Sequence, residues 1–132
     1  MTTALLVDDS EDYLEVLKLI LRGKGFVTTA VTSGKEALEV IASKPRFDIA
    51  LVDFMLPELS GVDIYHEFQK VPLKAPTVFA ILSVKTPDAE DLEFINKAGI
   101  DWIVKPSSAE GVRRMLERVR KRLEKDKGPE LL

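Results

Sequence analysis

Ile49-Ala50-Leu51-Val52-Asp53 decides the fold. Four apolar residues follow one another with no polar alternation. Such a run is a strand buried on both faces, as in a parallel sheet covered by helices. The run ends in a carboxylate. Three others have the same form: Ala4-Leu5-Leu6-Val7 leads into Asp8-Asp9, Val78-Phe79-Ala80-Ile81-Leu82 into Ser83, and Trp102-Ile103-Val104 into Lys105-Pro106. A further run, Phe26-Val27-Thr28-Thr29-Ala30, is the most polar and belongs nearer a sheet edge.

Between the runs the apolar spacing becomes helical. Leu14, Leu17, Ile20 and Leu21 form one stripe, Ala37, Leu38 and Ile41 a second, and Ile64, Tyr65 and Phe68 a third. Leu92, Phe94 and Ile95 form a fourth, and Val112, Met115, Leu116, Val119 and Leu123 the fifth and clearest. Ser33 with Glu36, and Ser107 with Glu110, fit capping boxes. Thr86-Pro87 fits an N-cap and first helical residue. Gly23 or Gly25, and Gly99, stand where helices should stop. Strands alternating with helices on short connections make an α/β protein, a parallel sheet with helices on both faces. In such a sheet the functional crevice lies beyond the carboxyl ends of the strands.

The chain of 132 residues is one domain of ordinary size, 45% hydrophobic and 31% charged. Its net charge of -3 disfavours direct nucleic-acid binding. It has no cysteine and one histidine, which excludes thiolate chemistry and a multi-histidine metal site. His66, beside Tyr65, is far in sequence from every site motif and reads as a packing or surface residue rather than a phosphodonor. No apolar run approaches the ~20 residues of a membrane span, and a cytoplasmic location is the expectation. The domain is expected over residues 1–124, with 125–132 a flexible tail or the start of a linker.

Taken singly, each strand-end residue has a plain structural explanation. Asp8 and Asp9 can cap a helix before Glu11-Asp12-Tyr13, Asp53 and Ser83 can be turn residues, and Lys105 can be a solvated lysine. Together at one sheet edge they have a shared chemistry. Carboxylates at the end of an apolar strand are costly unless a cation compensates them. A hard cation such as Mg2+ binds through one or two carboxylates, water and phosphate. Asp53 is then the candidate nucleophile toward phosphorus, with Lys105 a point charge for a carboxylate or phosphoryl oxygen. A cis peptide at Lys105-Pro106 is one way to aim that lysine at the site. Ser83 would hydrogen-bond a phosphoryl oxygen.

Asp8-Asp9, Asp53 followed by Phe54-Met55-Leu56-Pro57 and Gly61, Ser83, and Lys105-Pro106 together resemble the motif set of the response-regulator receiver domain, over about residues 3 to 124. The resemblance implies a flavodoxin-like, doubly wound, five-stranded parallel sheet in the order 2-1-3-4-5 with five helices. It implies Mg2+-dependent phosphoryl transfer to Asp53 from a histidine kinase or histidine phosphotransfer protein. Asp9, Asp53 and the Met55 backbone carbonyl would ligate the metal, with Asp8 acting through water or Lys105. Ser83 and Trp102 would form the switch: Ser83 draws toward the phosphoryl group and the aromatic ring turns inward. The face made by helix 4, strand 5 and helix 5 would then meet a partner or a second copy of the chain.

This sequence departs from the family pattern at two places. Trp102 stands where tyrosine or phenylalanine is usual, and Val84 follows Ser83 where the family has a small residue. Met55 and Lys85 occupy positions that tune hydrolysis of the acyl phosphate, and Lys85 is expected to shield it. Kinase specificity is expected around Ser10 to Leu21 and at Pro106-Ser107. The enzymology expected is limited to the domain's own phosphorylation and dephosphorylation. An aspartate-nucleophile phosphatase is the enzyme rival, but it needs a second aspartate where Met55 stands. A receiver-like interaction module regulated without phosphorylation is the non-enzyme rival.

Overall fold

The computed structural model describes residues 2–127. Five strands, β1 (Thr3–Val7), β2 (Val27–Val31), β3 (Ile49–Asp53), β4 (Val78–Ser83) and β5 (Asp101–Val104), alternate with five helices. These are α1 (Glu11–Gly23), α2 (Gly34–Ser43), α3 (Gly61–Gln69), α4 (Ala89–Ala98) and α5 (Ala109–Lys127), with a single 3-10 turn at Pro72–Lys74. The sheet is parallel throughout, in the order β2-β1-β3-β4-β5. The polar run forms an edge strand, as expected. Helix α5 passes the expected domain end at 124, while residues 128–132 of the expected tail lie outside the described residues.

Alternation along the strands divides the core in two. Ala4, Leu6, Leu51, Ala80 and Leu82 face α1 and α5, packing with Leu14, Leu17, Leu116 and Val119. Leu5, Val7, Ala50, Val52 and Ile81 face the other way, onto Ala37, Ile41, Ile64 and Phe68. Every residue of β3 and β4 is buried, because helices cover both faces. The register sets Val7 beside Val52, Asp53 beside Leu82 and Ser83 beside Val104. Asp8, Asp53, Ser83 and Lys105 therefore leave the sheet along one edge.

Four local expectations are corrected. Helix α4 is capped by Asp88 rather than Thr86-Pro87: Asp88 accepts the Asp91 N–H, and Asp91 accepts the Asp88 N–H. That reciprocal pair satisfies two donors, which threonine before proline does not. Helix α5 starts one residue later than the Ser107 box implies, with Ser108 Oγ accepting the Gly111 N–H. The Lys105–Pro106 peptide is trans, as are all the described peptides. The fourth stripe also differs from its reading, because α4 buries no residue fully and Leu92 is exposed.

Candidate functional site

Asp8 leaves β1 almost wholly buried, at 1% exposure. Its Oδ1 accepts the Ser10 N–H at 2.9 Å, an Asx-type turn that directs the chain into α1. Its Oδ2 accepts no hydrogen bond and instead pairs with Lys105 Nζ at 2.7 Å. The same ammonium stands 3.4 Å from Asp53 Oδ2. Asp53 Oδ1 accepts the Met55 N–H at 3.3 Å. Lys105 is anchored by its backbone, whose N–H donates to the Ser83 carbonyl at 2.7 Å. The trans peptide thus aims the lysine without help from proline isomerism. Gly61 closes the loop after β3: its N–H donates to the Phe54 carbonyl, and a Cβ there would stand 2.7 Å from the Asp53 carbonyl oxygen.

Asp9 is exposed, but it shares the crevice. One carboxylate oxygen from each of Asp8, Asp9 and Asp53 lies within 4.8 Å of the others. Burial, followed by the neighbouring Asp8 charge, pushes the Asp53 carboxyl up; Lys105 and the Met55 N–H offset part of this. Three converging acids, one oxygen without a hydrogen bond and one lysine leave negative charge in excess. An oxygen-seeking cation fits that donor set.

Ser83 is buried, and its Oγ accepts the Lys85 N–H at 3.2 Å. Trp102 is half-buried. Its indole N–H donates to the Lys85 carbonyl at 3.1 Å, and its ring lies 4.8 Å from that of Phe54. Lys85 sends its ammonium to Asp91 at 3.0 Å and Asp88 at 3.6 Å, over the Phe54 ring. The residue expected to shield Asp53 is therefore tied to the start of α4. Met55 and Val84 are exposed, at 71% and 83%. His66 is exposed on α3, edge-on to Tyr65 and Phe94.

The contact of one residue with Lys105 escapes sequence reasoning. Tyr13, half-buried in the first turn of α1, lies under the Lys105 ammonium, 5.0 Å from ring centroid to Nζ. Its hydroxyl donates a long hydrogen bond of 3.5 Å to the Pro106 carbonyl. Burial first, then the charges of Asp8 and Asp53, push that hydroxyl up to about 12, so it stays protonated. A tyrosine beside Leu14 and Leu17 looks like a stripe member; only the fold brings position 106 to it.

This sheet order and this edge define a class of protein. Residues 4–117 match the family model described as the response regulator receiver domain. The chain belongs to the response-regulator receiver family. It is 33% identical over 108 residues to the response regulator SaeR of Staphylococcus epidermidis, an alignment covering 82% of this chain and 45% of that protein. The chain thus spans less than half the length of that relative. A CheY-like receiver domain protein from Methanospirillum hungatei has the same fold, with a TM-score of 0.81 at 24% identity, covering 98% of each chain. So has the response regulator TrrA of Thermotoga maritima, solved in complex with Mg2+-BeF, with a TM-score of 0.74 at 24% identity, covering 92% of this chain and 99% of that one. Among the described residues no helix is long and apolar enough to cross a membrane.

Proposed function

We propose that this receiver is switched by phosphorylation of Asp53, with a phosphohistidine on a histidine kinase or histidine phosphotransfer protein as donor. The observation that carries the proposal is Lys105 Nζ between Asp8 Oδ2 and Asp53 Oδ2, beside the third carboxylate of Asp9. An Asp53 oxygen forms the new O–P bond as the donor's P–N bond breaks, and the electron pair stays on the imidazole nitrogen. Burial and the Asp8 charge push the Asp53 carboxyl up, while Lys105 and the Met55 N–H favour the carboxylate, the form that attacks phosphorus. Asp8, Asp9, Asp53 and the Met55 carbonyl would hold Mg2+. Bound there, Mg2+ supplies neutralisation of charge on the phosphoryl oxygens.

The chain's own residues do the rest. Lys105 leaves Asp8 for a phosphoryl oxygen. The Ser83 hydroxyl, which now only accepts, has a proton to donate to another. Moving Ser83 moves Lys85 through its N–H, and Lys85 holds the Trp102 indole through its carbonyl. Phosphate on Asp53 thereby biases the packing of Trp102 and α4 between two arrangements. The surface of α4, β5 and α5 is where a partner or a second copy would read it. The activity is limited to phosphoryl uptake and loss, in the cytoplasm, with no direct nucleic-acid contact by this domain.

Met55, Val84 and Lys85 tune the timing. Val84 narrows the approach to Asp53, so Val84→Ala speeds phosphorylation by acetyl phosphate; an unchanged rate removes Val84 from this role. The main test is intact-protein mass after incubation with Mg2+ and acetyl phosphate, phosphoramidate or a phosphorylated kinase. Wild type gains one phosphoryl group and Asp53→Asn gains none. No gain with any donor would favour an interaction module that works without phosphate.

A further inference from the structure

Four contacts close a ring around the first turn of α1. Asp8 Oδ1 takes the Ser10 N–H, and the Ser10 hydroxyl caps α1 by accepting the Tyr13 N–H at 3.2 Å. The Tyr13 ring underlies the Lys105 ammonium, and that ammonium returns to Asp8 Oδ2. The hydroxyl of Tyr13 reaches the Pro106 carbonyl, on the residue after Lys105. Position 13 is thus tied to a loop 93 residues away, at the chain's key cation.

We propose that Tyr13 is a positioning residue for phosphoryl transfer: its ring holds Lys105 within reach of both Asp8 and Asp53, so that the ammonium meets the incoming phosphoryl group already aimed. The proposal rests on the phosphoacceptor reading of Asp53. Physically, a lysine side chain has four rotatable bonds, and Lys105 is 14% exposed, in a crevice open to water. Two carboxylates attract the ammonium but do not fix its direction. An aromatic face beneath it does, because the ring quadrupole favours the cation over the ring plane. The ring makes no contact with the phosphoryl group in this account, and acts only through Lys105. Tyr13 has a second attachment to the fold, since it packs against the core cluster shared by α1 and α5. It is therefore a fixed support rather than a flexible one.

The test compares wild type, Tyr13→Leu, Tyr13→Phe, Lys105→Ala and the Tyr13→Leu/Lys105→Ala double variant, all as the whole chain. Each is phosphorylated by acetyl phosphate over a range of donor and Mg2+ concentrations. Tyr13→Leu lowers the maximal rate about three- to tenfold. The donor and Mg2+ concentrations at half-maximal rate stay put, because the carboxylates are intact. Tyr13→Phe, which keeps the ring, recovers most of the rate. In the Lys105→Ala background the Tyr13→Leu change has no further effect. A purely structural tyrosine would slow the reaction equally with and without Lys105, and that result overturns the proposal. So does a Tyr13→Leu rate equal to wild type, or a Tyr13→Phe loss as large as that of leucine. If Tyr13→Leu does not fold, Tyr13→Met takes its place with the same readings. Wild type that takes up no phosphoryl group sinks the phosphoacceptor reading and this one with it; the other outcomes bear on Tyr13 alone.

Discussion

Helices α5 and α4 lie on opposite faces of the sheet and are held on opposite terms. α5 sinks Val112, Met115, Leu116, Val119 and Leu123 into the core beside the buried stripe of α1. α4 buries no residue fully. It is held by its capping box, by the two ion pairs of Lys85, and by the edge contact of Phe94 with Tyr65 at 5.6 Å. Apolar burial contributes about 1.5–3 kcal/mol per large side chain, while exposed ion pairs contribute about 0–1 kcal/mol. Asp8 and Asp53 end β1 and β3, inside the firmly packed part, as Ser83 ends β4. Lys85 and Trp102 stand on the loosely held side. The chemistry is fixed and the readout is free to move, which is where local opening is least costly.

The largest effect that bears on this contrast compares two leucines. Leu51→Ala removes a fully buried side chain from β3 and should cost about 2–5 kcal/mol in chemical denaturation. Leu92→Ala, on the exposed face of α4, should stay within about 0.5 kcal/mol. A Leu92→Ala cost near that of Leu51→Ala would mean that α4 is anchored as firmly as the core.

The second effect lies in the fixed part and concerns charge. The folded Asp53 carboxyl titrates above its ordinary value of 3.8, chiefly through burial and Asp8. Between the unfolded and folded values the native chain binds the extra proton. Stability from this group therefore falls as pH rises through that window, and the penalty persists to neutral pH. Asp53→Asn removes the penalty, so it should melt a few degrees higher than wild type at neutral pH, and the gap should close as pH drops below about 4. Mg2+ should raise the melting point of wild type and do less for Asp53→Asn. Equal melting at neutral pH would mean that Lys105 already cancels the repulsion.

What could be read in the sequence divides along the same line. The core strands announce themselves, since Ile49–Val52 and Val78–Leu82 must be apolar on both faces. Asp8, Asp53, Ser83 and Lys105 follow from those strands because parallel register alone puts their ends together. The α4 side was less legible. Thr86-Pro87 and Asp88 both satisfy local rules for a helix start, and only the reciprocal Asp91 bond separates them. The Leu92–Ile95 spacing looks amphipathic whether or not a core lies beneath it. Lys85 is readable as a neighbour of Ser83 but not as a partner of Asp91, because a flexible cation takes whichever acids the fold supplies. Tyr13 was hidden for the converse reason: its spacing suits a core stripe and its function is set by a distant loop.

The smallest effect in equilibrium stability tests the loose side most directly. Lys85 is 46% exposed, and its pairs with Asp91 and Asp88 are screened by water. Lys85→Ala should therefore leave equilibrium stability almost unchanged, and change it less again in high salt. The same change removes two of the ties that hold the first turn of α4 to the loop after Ser83. Amide exchange at Glu90 to Leu92 should accelerate while exchange in β3 stays as slow as before, because local opening and global unfolding are separate events. The phosphorylated form adds a second reading. For Lys85 to shield the acyl phosphate it must first release Asp91 and Asp88, so shielding and α4 docking compete for one ammonium. Phosphorylated Lys85→Ala should then lose its phosphate faster than phosphorylated wild type. Faster loss without faster exchange in α4 would assign Lys85 to the phosphate alone, whereas faster exchange with an unchanged lifetime would assign it to the helix alone. Only the two together make it the link between the fixed site and the movable helix.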